Sequence, residues 1–345
     1  MTAPLPFVSV ILVCRNEERH IGPCLDSLLA NDYPADRREI LVVDGMSTDS
    51  TRRIVEDYAR RHAGIRLLDN PGRTIPAAMN LGIAHARGEI ILKMDAHSTC
   101  PPTYIGACVR YLMAYGADNV GGVVRIVPGA DTLVARTIAR VLAHPFGSGN
   151  AYVKVGAAQP RWADTAAFGC YRKAVFERVG PWNERLAGSS DLDMNARLRA
   201  AGGRILLVPA IEVEYRADRD LRAFWSHNFA DGVWATYVLK FGSRAWSWRH
   251  WIPLAFLLAL LAGALAAVVD PALRWGIAGI AGAYVLLNFL ASLHLAWRAR
   301  DARVVLAAPG VFALRHLAHG LGALWGLVLA GVPGVHWKGR RTREA

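Results

Sequence analysis

The sequence contains no C-x-x-C pair and no zinc-type cysteine–histidine spacing. Its five cysteines, Cys14, Cys24, Cys100, Cys108 and Cys170, are scattered singly, which argues against a disulfide scaffold or a zinc ribbon. They read as small buried hydrophobes in a reducing compartment. Also missing are a G-x-G-x-x-G turn and a G-x-x-x-x-G-K-[ST] loop, so neither NAD nor P-loop chemistry is indicated. The N-terminus, MTAPLPFVSVILVCRNEE, lacks a basic n-region, and its apolar run is too short for a signal peptide. The first domain is therefore expected to stay in the cytoplasm. There is no internal repeat and no low-complexity tract.

Acidic residues are scarce where the chain is most apolar. Residues 216–345 carry 15 Lys+Arg against 6 Asp+Glu, whereas residues 1–215 carry 25 against 22. The net charge of +12 thus belongs mainly to the second part. Such an excess suits nucleic acid or an anionic membrane face; here the bases flank apolar blocks, which favours the membrane and argues against nucleic acid.

What is present begins with buried strands. FVSVILVC is a β-branched run that stops at Arg15-Asn16-Glu17, REILVVD stops at Asp44-Gly45, and EIILKMD stops at Asp95-Ala96-His97. Between them, HIGPCLDSLLAN, STRRIVEDYARRHAG and IPAAMNLGIAHARG have helical spacing, and IRLLDN reads as a further strand. NVGGVVRIVPG continues as a strand, DTLVARTIARVLAH as a helix, and another helix is centred on residues 191–200. Alternating strands and helices predict an α/β domain, a Rossmann-like, mostly parallel sheet over residues 1–215. In such sheets ligands bind beyond the carboxyl ends of the strands, which gathers the three polar clusters into one cleft.

Residues 216–250 are rich in Trp, Phe and Arg, as an amphipathic interfacial segment is. The membrane region is expected over residues 251–335. Residues 251–269 hold no charge over 19 positions, and residues 275–297 carry Trp at both ends; both read as spans. The third apolar block, residues 304–335, contains Arg315, His316 and His319 and is interrupted by Pro309-Gly310. Basic residues precede the first block (Arg244, Arg249), follow the second (Arg298, Arg300, Arg303) and fill the tail at residues 336–345 (Lys338, Arg340, Arg341, Arg343). Keeping all three on the cytoplasmic side makes block three re-entrant or interfacial; a plain third span puts the tail outside.

The strand ends suggest chemistry. On an extended strand end, residues i and i+2 point the same way, so Asp95 and His97 can hold a divalent metal, Mn2+ or Mg2+. A capping Asp beside an incidental His has the same spacing. Asp44 is suited to a base imide or a ribose, while Asp49-Ser50-Thr51 reads as a helix cap. Arg73 and Arg197 are candidates for phosphate contact or for surface ion pairs.

In their order and spacing, SVILVCRNEE, LVVDGMSTDST, NPGRTIPAAMNLGIAHARGEIILKMDAH and GSSDLDMNARLRAAG resemble the motifs of family 2 glycosyltransferases of GT-A fold. ADTAAFGCYRKAVFERVGPWNE, HNFADGVWA, RHWIP and FALRHLAHGLGALWG resemble the succinoglycan biosynthesis ExoA-like branch. The resemblance runs over nearly the whole chain. It implies that Asp44 contacts the nucleotide base with Glu17 nearby. It also implies that Asp95 binds ribose and a metal-linked diphosphate, that His97 is the metal ligand, and that Asp191 is the general base. This chain reads GSSDLD where the branch has NQDDE, so Ser189, Ser190 and Leu192 depart from the pattern while Asp191 and Asp193 stay in register.

The reaction implied is metal-assisted, inverting transfer of a sugar, with a UDP-sugar the expected donor. The expected acceptor is polyprenyl-linked or a polysaccharide, in envelope or exopolysaccharide biosynthesis at the cell (inner/plasma) membrane. A polyprenyl-phosphate sugar synthase is the alternative enzyme, and a non-catalytic membrane scaffold of the same fold is the alternative of another class. The Q-x-x-R-W signature of processive synthases is absent.

Overall fold

The computed structural model describes residues 4–149, 151–243, 248–270, 272–332 and 337. Arg244 and the basic tail of the sequence reading lie outside these. The first elements are β1 (Val8–Cys14), α1 (Ile21–Leu29), β2 (Arg38–Asp44), α2 (Thr51–Arg61), β3 (Ile65–Asp69), α3 (Ile75–His85), β4 (Ile90–Asp95) and α4 (Tyr104–Ala114). There follow β5 (Asn119–Val127), α5 (Leu133–Leu142), α6 (Pro145–Ser148), α7 (Tyr152–Val155), β6 (Arg161–Trp162) and β7 (Ala167–Arg172). The chain continues through α8 (Ala174–Val179), α9 (Ser190–Ala200), β8 (Ile205–Arg216) and α10 (Leu221–Tyr237), and then α11 (Ile252–Val269), α12 (Leu273–Ala299) and α13 (Arg303–Gly331).

Two compact units emerge. One comprises Met1–Arg125 and Gly156–Tyr215; the other comprises Ile126–Val155 and Arg216–Arg341. The helical unit thus takes in α5, α6 and α7, which the sequence reading groups with the first domain.

The first unit is built on an eight-stranded sheet of order β3-β2-β1-β4-β7-β5-β8-β6. The half from β3 to β4 is parallel, with Val10 opposite Ile40 on one side and Leu92 on the other. β7 runs antiparallel to both β4 and β5, and β6 antiparallel to β8. The sheet is therefore mixed, because beyond β5 the chain returns through residues 128–166 and not through a single helical crossover. β1 and β2 are apolar along nearly their whole length because the parallel half is covered on both faces. Each fully buried Val, Ile or Leu there contributes roughly 1.5–3 kcal/mol. All five cysteines are buried and unpaired. In-register parallel strands also end together: Cys14 stands opposite Asp44, Asp44 opposite Asp69, and Val13 opposite Asp95. Three carboxylates are carried to one rim by this register.

In the helical unit, α11, α12 and α13 are long and apolar enough to cross a membrane. α13 is one helix of 29 residues with Pro309 inside it. Pro309-Gly310 therefore does not interrupt the third block as the sequence suggested. From α12, the Asn288 amide donates to the Pro309 carbonyl. α10 and α13 approach through small residues. A Cβ on Gly322 would come within 2.1 Å of the Phe229 carbonyl oxygen, and the Thr236 hydroxyl donates to the Ala323 carbonyl at 2.7 Å. α6 is gripped from two helices. His144 Nε2 lies 2.9 Å from His294 Nδ1, His316 Nε2 lies 2.9 Å from the Phe146 carbonyl oxygen, and Arg315 donates to the Gly147 carbonyl.

Candidate active site

The polar rim of the sheet is stitched across its loops. After β1, the Asn16 N–H donates to Ser47 Oγ at 2.9 Å, the Thr48 N–H to Asn16 Oδ1 at 2.8 Å, and the Glu17 N–H to Thr51 Oγ1 at 2.7 Å. Asp49, expected to cap a helix, accepts the N–H groups of Thr51 and Glu18. Among the described residues six non-glycines have positive φ, and four of them sit in loops at this rim or at the head of α9: Asn16, Met46, Arg73 and Ser189. Each such conformation costs of order 1–3 kcal/mol, and such strain gathers where surrounding structure over-determines a functional geometry.

Asp44 is fully buried at the end of β2. Its carboxylate accepts from the Ser47 N–H and hydroxyl and lies 3.5 Å from Arg52 Nη1, which also reaches Asp69 at 2.6 Å. Arg73 stands exposed in the loop after β3. Arg197 pairs with Asp193 at 2.9 Å across one turn of α9 and donates to the Val179 carbonyl, so its guanidinium is committed to packing α9.

β4 ends at Asp95, and Ala96 and His97 already turn. The alternation argument that put Asp95 and His97 on one side of a strand therefore does not hold, because the strand stops before His97. The imidazole is instead aimed by Glu17, whose Oε1 lies 3.2 Å from His97 Nδ1. That hydrogen bond, working against burial and helped by Asp95, raises the imidazole above its ordinary pKa. A carboxylate on one ring nitrogen is how metal-binding histidines are commonly oriented, with the other nitrogen serving as the ligand.

One residue that draws the site together escaped the sequence reading. Lys93, 5% exposed in the middle of an otherwise apolar strand, holds Nζ 3.2 Å from Asp95 Oδ1 and 3.4 Å from Asp191 Oδ2. Asp191 comes from the head of α9, 98 residues further along the chain than Lys93. Burial opposes the ammonium charge, but the Asp191 and Asp95 carboxylates outweigh it and hold the group above the ordinary lysine range. The signal was legible: a lysine inside IILKMD is almost never buried without an acid to meet it. Asp191 itself, with 47% of its side chain exposed, stands in the first turn of α9, where the helix dipole favours a carboxylate. α9 is fixed by buried Asn195, which takes the Asn119 amide at 3.0 Å and gives its own to Thr165 Oγ1 at 3.0 Å. Asn195 carries no sequence signal, since its partners lie on distant segments.

The structure thus brings Asp95, Asp191, His97 and Glu17 into one polar neighbourhood around Lys93, with Asp44 in register beside them and Arg73 on the adjoining loop. Among the described residues no three His, Cys, Asp or Glu side chains form a closed metal cage.

Residues 9–180 match the family profile of glycosyl transferase family 2. The succinoglycan biosynthesis protein ExoA of Rhizobium meliloti (strain 1021) is 30% identical over 76% of this chain and 78% of its own length. A dolichyl N-acetyl-alpha-D-glucosaminyl phosphate 3-beta-D-2,3-diacetamido-2,3-dideoxy-beta-D-glucuronosyltransferase of Methanococcus voltae is 24% identical over 74% of this chain and 80% of its own. Among solved structures, the mannosyltransferase PcManGT of Pyrobaculum calidifontis, in complex with GDP-Man and Mn2+, matches with a TM-score of 0.61 at 21% identity. That match covers 94% of this chain and 88% of PcManGT, and it is a likeness of fold. With a GT-A sheet, a polar carboxyl rim and an ExoA-like sequence, the chain belongs to glycosyl transferase family 2.

Proposed function

We propose that the protein is a membrane-bound, inverting glycosyltransferase that moves a sugar from a nucleotide sugar, a UDP-sugar, onto a lipid-linked or glycan acceptor in envelope or exopolysaccharide synthesis. The observation that carries this is the shared ammonium of Lys93, which draws Asp95 and Asp191 to one point from opposite halves of the fold.

The roles follow from chemistry. Asp191 accepts the proton of the attacking hydroxyl. A single base opposite the leaving group gives direct displacement and inversion at the anomeric carbon. Asp95 and His97, a carboxylate and an imidazole turned by Glu17, are donors that suit Mn2+ or Mg2+. Such an ion, when bound, neutralises charge gathering on the departing diphosphate. Asp44 and Glu17 border the nucleoside end, and Arg73 lies on the adjoining loop for phosphate contact. The relative from Methanococcus voltae acts, by its name, on a dolichyl-phosphate-linked sugar, which favours a lipid-linked acceptor here.

We read α11 and α12 as a multi-pass hairpin in the cell (inner/plasma) membrane with the catalytic domain cytoplasmic. Arg249 precedes the hairpin, and Arg298, Arg300 and Arg303 follow it. The second half of α13 packs on α10, which carries Arg222, His227 and Asp231, and this favours α13 lying at the membrane face.

The test is a screen of nucleotide sugars for metal-dependent release of nucleoside diphosphate by the full chain in detergent, followed by product analysis with lipid-linked acceptor. A lengthened lipid-linked glycan is expected. A monosaccharide on a lipid monophosphate would replace this reading with that of a donor-lipid synthase, and no release with any sugar would contradict catalysis.

A further inference from the structure

We propose that Arg52 and Asp69 are the pair that reads the nucleobase of the donor, and that they select an imide edge, a carbonyl beside an N–H, as uracil and guanine present. This choice of base rests on the nucleotide-sugar reading above, which sets only the neighbourhood of the nucleoside. Asp44 is the acid to which the sequence motif points, yet it has no exposed surface. Both its oxygens are engaged: each accepts from the Ser47 N–H, Oδ1 also from the Ser47 hydroxyl and Oδ2 from Arg52 Nη1 at 3.5 Å. The neighbouring strand supplies an open acid. Asp69, at the end of β3, is the partner of Asp44 across the parallel ladder, and its side chain is 57% exposed. Its Oδ1 accepts from Arg52 Nη1 at 2.6 Å, and its Oδ2 has no partner among the described residues.

Arg52 sits where a helix does not ask for a cation. It is the second residue of α2, in a first turn without acids, against the helix dipole. A side chain that breaks a local rule beside a binding rim is a mark of function. Three carboxylates hold it there: Asp69, Asp44 and, 3.5 Å from Nε, Glu56. Nη1 and Nε are thereby engaged, while Nη2, on a side chain 37% exposed, has no partner among the described residues.

Three acids around one guanidinium leave this corner acidic, so it repels phosphate and attracts N–H groups. Asp69 Oδ2 and Arg52 Nη2 are an acceptor and a donor on groups already joined by a hydrogen bond. Uracil matches them with N3–H on Asp69 and O4 on Arg52; guanine matches them with N1–H and O6. In the same placement cytosine and adenine set an accepting ring nitrogen against the carboxylate and an amino group against the guanidinium. Such a mismatch leaves polar groups on both sides unpaired.

Calorimetric titration of the detergent-purified full chain, with Mg2+ and no acceptor, tests the pair without turnover. The probes are UDP, GDP, CDP and inorganic pyrophosphate. UDP or GDP is expected to bind at least about tenfold more tightly than CDP. Asp69→Asn, whose amide offers a donor where the carboxylate accepted, and Arg52→Met should each bring that ratio to within about threefold of unity. Pyrophosphate affinity should stay at the wild-type value in both, whereas a folding defect would weaken every probe alike. Tighter UDP agrees with the donor named above, and tighter GDP keeps the reader but changes the donor; both support the pair. A wild-type ratio to CDP near unity, or one that either variant leaves unchanged, overturns it. A wild-type chain that binds none of the nucleotides contradicts the nucleotide-sugar reading itself, and the pair with it.

Discussion

The two units of this chain use polar residues in opposite ways. In the sheet unit, register delivers Asp44, Asp69 and Asp95 to one rim, and loops held in strained conformations stitch that rim shut. In the helical unit, ionisable groups such as His144, His227 and Arg315 are scattered along the sequence and meet only because small residues let helices touch. A rim can be read from where strands stop. A helix interior cannot, because the partner of each polar residue is set by packing.

Substitutions at the rim should therefore cost turnover more than stability, and substitutions between helices should do the reverse. The largest effect is expected from Asp191→Asn, which removes the proposed base: donor-to-acceptor turnover should fall about 10²–10⁴-fold with the circular dichroism spectrum retained, while the melting temperature drops modestly because Lys93 keeps only Asp95 as a charged partner. Second is chelation. Removing divalent metal should abolish nucleoside diphosphate release while the melting temperature stays close to that of the untreated protein, because Asp95 and Asp191 keep the Lys93 ammonium between them. Third is Gly322→Leu, which forces a side chain against the Phe229 carbonyl and should destabilise the helical unit by about 1–3 kcal/mol, read as a lower melting temperature in detergent. Metal-dependent donor hydrolysis per folded molecule should persist. Next, Asn195→Ala strips the partners of Asn119 and Thr165 and should cost about 1–3 kcal/mol by chemical denaturation; it blurs the contrast, since loosening α9 should slow turnover too. The smallest effect belongs to Arg60→Ala: its ion pair with Asp57 is exposed, and stability should shift by no more than about 0.5 kcal/mol.

How much of this was legible beforehand follows the same line. VSVILVC, REILVVD and IILKMD announce buried strands by unbroken apolar runs, and the polar residues after them announce the rim. The antiparallel insertion of β7 beside β4 was not legible, since AFGCYR has no feature that chooses a partner or a direction. Asp95 was named from the strand end and Asp191 from motif resemblance, but what joins them, Lys93, was passed over as one lysine in a strand. His97 was reached by an argument from strand alternation that the turn at Ala96 defeats; its real orientation comes from Glu17, 80 residues earlier. That α13 runs on through Pro309, whose carbonyl accepts from Asn288 of another helix, is supplied by no local reading of residues 304–335.

The most direct test is release of nucleoside diphosphate from a nucleotide sugar, with and without lipid-linked acceptor, by the wild-type chain, Asp95→Ala and Asp191→Asn. The account predicts metal-dependent release that Asp95→Ala abolishes in both conditions, and an acceptor stimulation that Asp191→Asn abolishes. Undiminished, acceptor-stimulated release by either variant would contradict it.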